Sequence, residues 1–374
     1  MENYKLIRNL HYEWWKNIDK FIFSLIILLF VTGLFFSLVS TSLLVSDKLD
    51  TNDYTFFFKH LTFVFLGIII IFIFSSINEE KLFKISPIIF ILSLISLFLV
   101  PLVGVEVNSA QRWIDLYLLP RFQPIELVKP FLIILISSIL SSEKYSNIYL
   151  KYLFSFLITL TIALLLTAQP DIGQTLLVFF SWSVLIFISG INIIFLITSC
   201  LFLFIGLYFS IKFVPKFEYI KNRILSFFNS ETGTHNAQSE KAIDSITSGG
   251  YFGKGIGEGT LKNRVPEAHT DYIISVISEE FGVIAIILLL LLFLIFIYSV
   301  FKKIYLQNEE KTKLILAGCT SLILVQAMIH IGVNIRLFPT TGMTLPFISY
   351  GGSSILSISI LSGIILNLTK REIN

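Results

Sequence analysis

Apolar segments long enough to cross a bilayer recur along almost the whole chain, and this repetition limits the fold more than any other feature. Of 374 residues, 55% are hydrophobic and only 14% are charged, and the charges collect between the apolar segments. A helix of about 20 apolar residues crosses the hydrocarbon core with every backbone hydrogen bond satisfied. The sequence therefore predicts an all-α, polytopic integral membrane protein.

Ten candidate membrane-spanning helices can be placed by length and hydropathy. They cover residues 20–41, 56–75, 85–103, 125–141, 150–168, 171–189, 191–211, 273–301, 314–335 and 345–369. We interpret the chain as a single membrane domain, residues 1–374, with one large loop, residues 212–272, between helices 7 and 8. An even number of spans leaves both termini on the same side of the membrane.

Lysine and arginine residues indicate which side that is. They are more frequent in the short segments on the side of the termini than in those on the other side. Because short basic segments stay in the cytoplasm, both termini are predicted to be cytoplasmic, with residues 1–19 as an N-terminal cytoplasmic segment. The loop of residues 212–272 is then external, and a loop this polar lies in water or lines a water-filled cavity.

The composition excludes several classes of function. A net charge of +3 is too small to indicate a nucleic-acid partner. The 37 Phe and 14 Tyr are interpreted as residues that face lipid or other helices. Cys200 and Cys319 lie far apart in apolar segments, so neither a disulfide framework nor a metal-ligand cluster is predicted.

Arg112 and Trp113 follow the third span, and Glu126 and Lys129 begin the fourth. If a helix begins at Pro124, Glu126 and Lys129 lie three residues apart on one face. The pair is then either a salt bridge that lets two charges tolerate the membrane, or part of a cavity that receives a charged head group.

Residues 169–174 join the fifth and sixth spans and contain Gln169 and Asp171. At a helix N-terminus an aspartate most often caps the first turn. The alternative is that Asp171 binds a cation or a sugar hydroxyl.

Six glycines lie within residues 249–259 of the long loop, with Lys254 among them and Arg264 soon after. Their spacing fits neither the phosphate-binding loop of nucleotide hydrolases nor the dinucleotide-binding motif, so no nucleotide is predicted. The glycines either let backbone amides approach a membrane-bound ligand or allow tight turns.

Asp271 lies at the end of the loop, where the eighth span begins. It shares one helix face with small residues, and we expect this face to point to the bundle interior. A carboxylate at the mouth of such a face, next to His269 and Glu267, can accept a proton from a hydroxyl nucleophile. The alternative is that Asp271 caps the helix and His269 is an ordinary loop histidine. Glu279 and Glu280, about two turns deeper, are either a packing pair or part of an internal polar network.

The start of the last span is interrupted by two prolines and three glycines within residues 336–354. Backbone broken in this way is tolerated in a membrane only where it lines a cavity or is buried in protein. Ser349 and Ser353 would share a face if this stretch were helical.

Taken together and in this order, the polar stretches resemble the SEDS (shape, elongation, division and sporulation) family of peptidoglycan glycosyltransferases. The resemblance rests on residues 110–113, 123–126 with 129, 169–173, 266–271 (Pro-Glu-Ala-His-Thr-Asp) and 345–354, and it spans nearly the whole chain. Residues 266–271 and 341–346 look more like the family's division member than its elongation member. Residues 242–245 and 257–259 look like alphaproteobacterial sequences.

The resemblance implies polymerisation of lipid II at the external face of the bacterial cytoplasmic (inner) membrane. The 4-hydroxyl of one lipid-linked disaccharide would attack the anomeric carbon of another chain, with undecaprenyl pyrophosphate as the leaving group and Asp271 as the general base. Arg112, Lys129, Lys254 and Arg264 are candidates to neutralise the pyrophosphate, with the choice among them left open, and a bound Mg²⁺ or Mn²⁺ could also serve. No nucleotide is required, because the donor is already activated.

The resemblance also implies substrate-binding residues and partners. The residues are Arg112, Trp113, Glu126, Lys129, Gln169, Asp171, Lys254, Arg264, Glu267, His269, Ser349 and Ser353. The partners are a class B penicillin-binding protein transpeptidase, other membrane proteins of the division machinery, and membrane lipid.

Two alternative functions stay open: a flippase for lipid-linked precursors, and a scaffold that recruits the transpeptidase. A flippase is expected to carry charges deep within several spans and to show repeat-like halves. The charges here collect at the predicted external ends and no such halves are evident, which favours an external active site. Scaffolding can accompany catalysis.

Overall fold

The computed structural model describes residues 12–41, 54–107, 110–115, 120–144, 147–191, 193–213, 217–228, 234–261, 265 and 267–370. Within these ranges the chain forms twelve long helices and one small β-hairpin. The helices are Lys20–Thr41 (α1), Thr55–Ser76 (α2), Glu79–Val103 (α3), Pro124–Leu140 (α4), Ile148–Ala168 (α5), Ile172–Ile188 (α6), Ile193–Phe213 (α7), Glu218–Phe228 (α8), Thr234–Gly249 (α9), Ile273–Leu306 (α10), Glu310–Asn334 (α11) and Gly352–Leu368 (α12). The strands Val105–Val107 (β1) and Ala110–Trp113 (β2) pair antiparallel.

Each of the ten predicted spans overlaps one helix, namely α1 to α7 and α10 to α12, although the last span was predicted to begin at residue 345, seven residues before α12. Among the described residues, 7 helices are long and apolar enough to cross a membrane. The other three, α4, α6 and α12, have 17 residues each. The prediction of an all-α polytopic membrane protein is confirmed, whereas the β-hairpin was not predicted.

The three short helices lie inside the bundle. Most side chains of α4 and nearly all of those of α12 are buried. The α11 span is also 78% buried, against 22% for the span of α2 and 28% for that of α3. A helix surrounded by protein need not be long or wholly apolar, because its polar groups meet other protein groups instead of lipid. Polar side chains can therefore be placed on α4, α6, α11 and α12.

Contacts between helix ends show which of them lie at the same end of the bundle. Lys303 Nζ lies 2.6 Å from Asp19 Oδ2, and Gln307 Nε2 donates to the carbonyl of Leu368 at 3.0 Å. These contacts join the start of α1 and the ends of α10 and α12, so both described chain ends lie together; we call this the terminal end. The opposite end, called the site end, carries the β-hairpin and the segments that precede α6, α10 and α12.

Helix α10 is interrupted at Gly282, where φ is 77° and ψ is 179°. Residues 250–255 are inserted into its hydrogen-bond ladder at this point, and we call the insertion the α10 junction. The carbonyls of Glu279 and Glu280 accept from the amides of Lys254 and Gly255, and the amides of Val283 and Ile284 donate to the carbonyls of Gly250 and Tyr251, at 2.9 to 3.3 Å. The break therefore leaves these four α10 groups paired, as an apolar environment requires.

Glutamate side chains complete the junction. The buried Glu279 carboxylate accepts from Lys254 Nζ at 3.2 Å and from Ser245 Oγ at 2.9 Å. Glu280 Oε2 accepts from the amide of Gly257 at 3.0 Å. Of the two alternatives for Glu279 and Glu280, the internal polar network is confirmed.

The glycine-rich stretch serves this junction. Gly250, Gly253, Gly255 and Gly257 have positive φ. A Cβ at Gly253 would also collide with the carbonyl oxygen of Glu280. The tight-turn interpretation is therefore confirmed, and the close approach that the glycines permit is an approach to the backbone of α10.

The small face of α10 packs on α9 instead of on another span. Ser245 Oγ donates to the carbonyl of Ser275, and Ser278 Oγ donates to the carbonyl of Ile246, both at 3.2 Å. The expectation that this face is buried is right, but its partner is a helix of the long loop.

The predicted span of residues 273–301 is wrong at its beginning. Side chains from Ile273 to Glu280 are buried by protein, whereas exposed apolar side chains begin at Val283. Residues 282–300 form about 28 Å of helix, close to the thickness of the hydrocarbon core. We infer that the membrane crossing starts near Gly282, and that the first part of α10 stands above it with α9.

Replacing Gly253 with alanine tests the junction. Gly253→Ala adds a collision with the Glu280 carbonyl to the strain of positive φ, and we expect a loss of at least about 3 kcal/mol of stability. Gly250→Ala is the matched control: its φ is also positive, at 57°, but nothing lies within 4 Å of an added Cβ. The control should lose only about 1 kcal/mol. Equal unfolding midpoints of the two variants in detergent would contradict the proposed contact.

Candidate active site

The candidate site is built around Asp271, in a tight turn before α10. The carbonyl of Glu267, which has a φ of 53°, accepts from the amides of residues 270, 271 and 272 at 3.0 to 3.3 Å. The N-cap of α10 is Tyr272, so Asp271 lies one residue outside the cap position. The alternative in which Asp271 caps this helix is therefore excluded, and its side chain is half-buried at the site end.

The segment of residues 339–351, which we call the return segment, packs against this turn. Ser349 Oγ donates to the carbonyl of Thr270 at 2.7 Å, and the amide of Tyr350 donates to the carbonyl of His269 at 3.2 Å. A Cβ at Gly342 would lie 3.5 Å from Asp271 Oδ2, so the Asp271 carboxylate lies over the backbone of the return segment.

Helix α11 supports the turn and the return segment together. Asn334 Nδ2 donates to the carbonyls of Asp271 and His330, at 3.0 and 2.9 Å. His330 Nδ1 lies 2.7 Å from the carbonyl oxygen of Met343. Asn334 is fully buried. Through these two side chains, α11 fixes the position of Asp271 relative to residues 342–343.

A second group of polar residues surrounds the start of α6. Asp171 is the N-cap of this helix, and its Oδ1 accepts from the amide of Gln174 at 3.3 Å. Its other oxygen accepts from Gln123 Nε2 at 3.1 Å and lies 3.6 Å from Arg112 Nε. The capping interpretation of Asp171 is confirmed, and the same carboxylate also forms an ion pair with Arg112.

Arg112 binds the α5–α6 connection from the β-hairpin. Its Nε donates to the carbonyl of Gln169 at 3.3 Å, and its Nη2 donates to the carbonyl of Pro170. Gln169 in turn donates from Nε2 to the carbonyl of Leu97. Trp113, the next residue of β2, is half-buried, and strand alternation places it on the opposite face of the hairpin.

Glu126 and Lys129 form a buried ion pair in the first turn of α4. The helix begins at Pro124, as expected, and Lys129 Nζ lies 2.8 Å from Glu126 Oε2. Both side chains are less than 5% exposed, and Gln174 Nε2 donates to Glu126 Oε1 at 2.9 Å. The salt-bridge interpretation is confirmed. Within the described part of the chain, Lys129 Nζ has no partner besides Glu126.

Gln123 joins the starts of the three inner helices. It is the N-cap of α4, its side chain binds Asp171 at the start of α6, and its amide donates to Ser353 Oγ at 3.2 Å in the first turn of α12. Three helix N-termini, each with a partial positive charge, therefore converge at one place. Ser349 and Ser353 do not share a helical face, because α12 begins only at Gly352 and Ser349 lies before it.

The return segment connects this convergence to Asp271. A Cβ at Gly173 would lie only 3.0 Å from the side chain of Thr341, so the first turn of α6 packs closely on residue 341. The next residue, Gly342, faces the Asp271 carboxylate. Asp271 and the Asp171 group are thus neighbours across the return segment.

Two of the predicted basic residues are not in this group. Lys254 is at the α10 junction, where Glu279 neutralises it at 3.2 Å. Arg264 lies outside the described residues. The predicted site residues that the structure brings together are Arg112, Glu126, Lys129, Gln169, Asp171, Glu267, His269, Asp271, Ser349 and Ser353.

Sequence reasoning missed three supporting residues: Gln174, His330 and Asn334. Each is a buried polar residue in an otherwise apolar helix. Such residues in membrane spans are rare and mark sites or their supports. His330 and Asn334 are also four residues apart, so their shared face on α11 was a signal that could have been used.

His269 is enclosed by aromatic rings. Its ring lies 4.7 Å from that of Phe56 and 6.2 Å from that of Tyr350, and Tyr350 is 5.9 Å from His60. Burial lowers the pKa of His269, against the opposing effect of the Glu267 carboxylate. The imidazole beside Asp271 is therefore neutral at neutral pH.

Comparison with known sequences identifies relatives over almost the full length. The profile of a family described as cell cycle protein (FtsW, RodA and SpoVE) matches residues 19–374. A probable peptidoglycan glycosyltransferase FtsW of Caulobacter vibrioides is 30% identical, covering 96% of this chain and 91% of the relative. A protein of the same name from Enterococcus hirae is 33% identical, covering 96% and 94%.

Solved structures have the same fold. A crystal structure of a variant of the rod shape determining protein RodA of Thermus thermophilus superposes with a TM-score of 0.70 at 25% identity, covering 94% of this chain and 97% of that one. A chain of a peptidoglycan synthase complex that coordinates polymerization and crosslinking superposes with a TM-score of 0.78 at 24% identity, with the same coverage.

The buried ion pair of α4 can be tested by a double-mutant cycle. Lys129→Met leaves the Glu126 carboxylate buried without a counter-charge, and we expect a loss of about 3–5 kcal/mol in unfolding free energy. Glu126→Gln/Lys129→Met removes both charges and should stay within about 1 kcal/mol of wild type. The measurement is unfolding by a denaturing detergent. The Glu126→Gln single variant completes the cycle, and two single-variant losses that add up to the loss of the double variant would show that the pair is not coupled.

The environment of His269 predicts a pH dependence of stability. The unfolded chain takes up a proton near the ordinary pKa of 6.5, whereas the folded chain does so only at lower pH. The stability of wild type relative to His269→Gln is therefore highest above the ordinary pKa and falls as the pH drops through and below it. Thermal unfolding midpoints of both proteins across this range measure the difference. A constant difference would contradict a lowered pKa.

Proposed function

The chain belongs to the cell cycle protein family of FtsW, RodA and SpoVE, and from this membership and the site geometry we propose that it is a peptidoglycan glycosyltransferase. It polymerises lipid II into glycan strands during cell division, with Asp271 as the general base. The relatives named above carry the same activity in their names. The division role rests on those names and on the resemblance of residues 266–271 to the division member.

The observation that carries the proposal is the convergence of three helix N-termini next to Asp271. A diphosphate leaving group gains negative charge as its bond to the sugar breaks, and helix N-termini with a nearby arginine stabilise such charge. Gln123 holds these N-termini together, and Arg112 lies 3.6 Å from the Asp171 carboxylate among them. A carboxylate base on one side and helix N-termini with Arg112 on the other are the two parts that glycosyl transfer requires.

The reaction step follows from this arrangement. The 4-hydroxyl oxygen of the acceptor sugar forms a bond to the anomeric carbon of the donor. The bond from that carbon to the pyrophosphate oxygen breaks, and undecaprenyl pyrophosphate leaves with the bonding pair. The hydroxyl proton passes to the Asp271 carboxylate, because a sugar hydroxyl is a poor nucleophile at neutral pH. Neutral His269, which lies two residues before Asp271, adds no positive charge that would weaken the base.

The basic residues contribute unequally. Arg112 is 18% exposed and keeps donors near the site, whereas Lys129 is only 1% exposed and paired with Glu126. Within this proposal Arg112 contacts the pyrophosphate, and Lys129 maintains the charge balance of the α4 start. Lys254 supports the loop through Glu279.

A divalent cation enters the proposal only as a companion of the substrate's pyrophosphate. Among the described residues, no group of three or more His, Cys, Asp or Glu side chains could hold a metal ion. The described part of the chain therefore does not fit a resident Mg²⁺ or Mn²⁺ site, and no step above depends on one.

The cellular setting is part of the proposal. Both described chain ends lie opposite the site, and the distribution of basic residues supports a cytoplasmic position for those ends, so the site in this proposal faces the external side of the cytoplasmic membrane. We propose a class B penicillin-binding protein as partner, since the structurally similar chain belongs to a complex that couples polymerization to crosslinking. Other division proteins and membrane lipid complete the surroundings.

The flippase alternative is less well supported. In the described chain, the ion pairs of the inner helices α4 and α6 lie in their first turns at the site end. A transport path is expected to carry charged groups deep within several spans. Scaffolding of the transpeptidase is compatible with catalysis, and the same experiment separates the two.

The test is polymerisation of lipid II by the purified protein with its cognate transpeptidase. Asp271→Asn keeps the size of the side chain but removes the base, and we expect the rate to fall by about 10²–10⁴-fold. Asp244→Asn, an exposed carboxylate on α9, is the matched control and should keep the wild-type rate.

Each outcome decides between the hypotheses. Wild-type polymerisation by Asp271→Asn would reject Asp271 as the base. A wild-type protein that makes no strands but moves lipid II across vesicles would favour the flippase. Retained transpeptidase binding by the inactive Asp271→Asn variant would show that scaffolding is separable from catalysis.

A further inference from the structure

A cavity of about 670 Å³ lies at the terminal end, between the start of α1 and the end of α10. It is on the opposite side of the bundle from Asp271 and plays no part in the proposed reaction. Its lining combines lysines from both helices with apolar side chains. We propose that this cavity binds an anionic phospholipid of the inner leaflet, and we call it the terminal pocket.

The polar part of the pocket has an excess of positive charge. Lys16, Lys20, Lys302 and Lys303 line it, with Asp19 as the one acidic residue of the lining. Asp19 is used internally: its Oδ2 lies 2.6 Å from Lys303 Nζ. Its Oδ1 accepts from the amides of the first turn of α1 at 3.0 and 3.1 Å. One lysine is thus neutralised, and three remain.

The three remaining lysines are available to an anion. Lys16, Lys20 and Lys302 are exposed, and none has a carboxylate within 4.0 Å among the described residues. Lys20 Nζ lies 5.6 Å from the ring centroid of Trp15, a contact that leaves its charge in place. Burial raises the pKa of Asp19, but the hydrogen bond from Lys303 and the amide bonds outweigh this effect and lower it. Asp19 therefore stays ionised and remains paired with Lys303 in the lining of the pocket.

The apolar part of the pocket is open to the bilayer. Phe21 is 58% exposed, Ile295 45% and Tyr298 71%. Farther from the lysines, Leu28 on α1 and Leu291 on α10 are also about half exposed. A ligand that places its phosphate between the lysines therefore finds apolar surface along two helices in the direction of the hydrocarbon core.

This shape favours a lipid over a free anion. An inorganic phosphate fills only a small part of a pocket of this volume and leaves the exposed apolar walls uncovered. A phospholipid satisfies both parts, because its head group meets the lysines and its acyl chains cover Phe21, Ile295 and Tyr298. Basic pockets between transmembrane helices at the cytoplasmic side are suited to anionic head groups for this reason.

Binding would hold α1 against α10 at the terminal end. The only other direct polar link that the structure gives between these two helix ends, in the described residues, is the ion pair of Asp19 and Lys303. A lipid phosphate shared by Lys16 or Lys20 and Lys302 adds a second link between the same ends. The pocket is therefore a site where the lipid composition of the membrane would affect the contact between α1 and α10.

Native mass spectrometry of the purified full-length protein tests the proposal. The protein is titrated with dioleoylphosphatidylglycerol, which is anionic, or with dioleoylphosphatidylcholine, which is zwitterionic with the same chains. We expect phosphatidylglycerol to bind about tenfold more tightly, and Lys16→Gln/Lys20→Gln/Lys302→Gln to remove most of this preference. Because all three lysines are exposed, the substitutions leave the fold intact.

The matched control removes equal charge at the same end of the bundle but outside the pocket. Lys81→Gln/Lys84→Gln/Lys144→Gln replaces three exposed lysines at the start of α3 and after α4. This variant should keep the wild-type preference. An equal loss in both triple variants would overturn the proposal, because it would show a general attraction between basic residues and anionic lipid.

Two further outcomes identify other occupants. Displacement of phosphatidylglycerol by inorganic phosphate would assign the pocket to a free anion and overturn the lipid proposal. A dimer that disappears in the pocket variant but not in the control would assign it to a second copy of the chain. Lipid that stays bound in excess phosphate, on a monomeric protein, supports the proposal.

Discussion

The requirement that every backbone polar group be paired explains most of the architecture at the site end. Helix α10 breaks at Gly282, and in an apolar environment two unpaired carbonyls and two unpaired amides would cost several kcal/mol. Residues 250–255 supply their partners. The long loop is thereby fixed to α10. The turn that carries Asp271, which precedes the same helix, is held by Asn334 of α11.

Charged side chains occupy different positions on the buried helices and on the helices that face lipid. The outer helices present apolar side chains to lipid and carry charges only near their ends. The inner helices carry the ion pair of Glu126 and Lys129 and the Asp171–Arg112 pair, both within the first turns or caps. Carboxylates at helix N-termini are stabilised by the helix dipole, and each cation here is paired with such a carboxylate, so the polar site costs the fold less there than at the middle of the bundle.

Several features were predictable because they depend on local sequence. The spans follow from hydropathy, the α4 ion pair from its three-residue spacing after Pro124, and the cap of α6 from an aspartate at its start. The interrupted start of the last span followed from its prolines and glycines. Other features were not predictable, because they join distant parts of the chain. The packing of the small face of α10 on α9 and the contact of Ser353 with Gln123 depend on residues far apart in sequence.

The sequence by itself determined the class of fold, the approximate positions of the apolar helices and the choice of Asp271 as the residue to consider first. These depend on apolar length and on the order of polar motifs along the chain. Only the tertiary structure decided which charges act together: it placed Lys254 with Glu279 and Arg112 with Asp171. It also placed the Asp271 carboxylate against Gly342, in a turn held by Asn334. The physical reason is that a motif fixes which groups are present, whereas distance and burial fix which of them interact, and these are set by packing between helices that are remote in sequence.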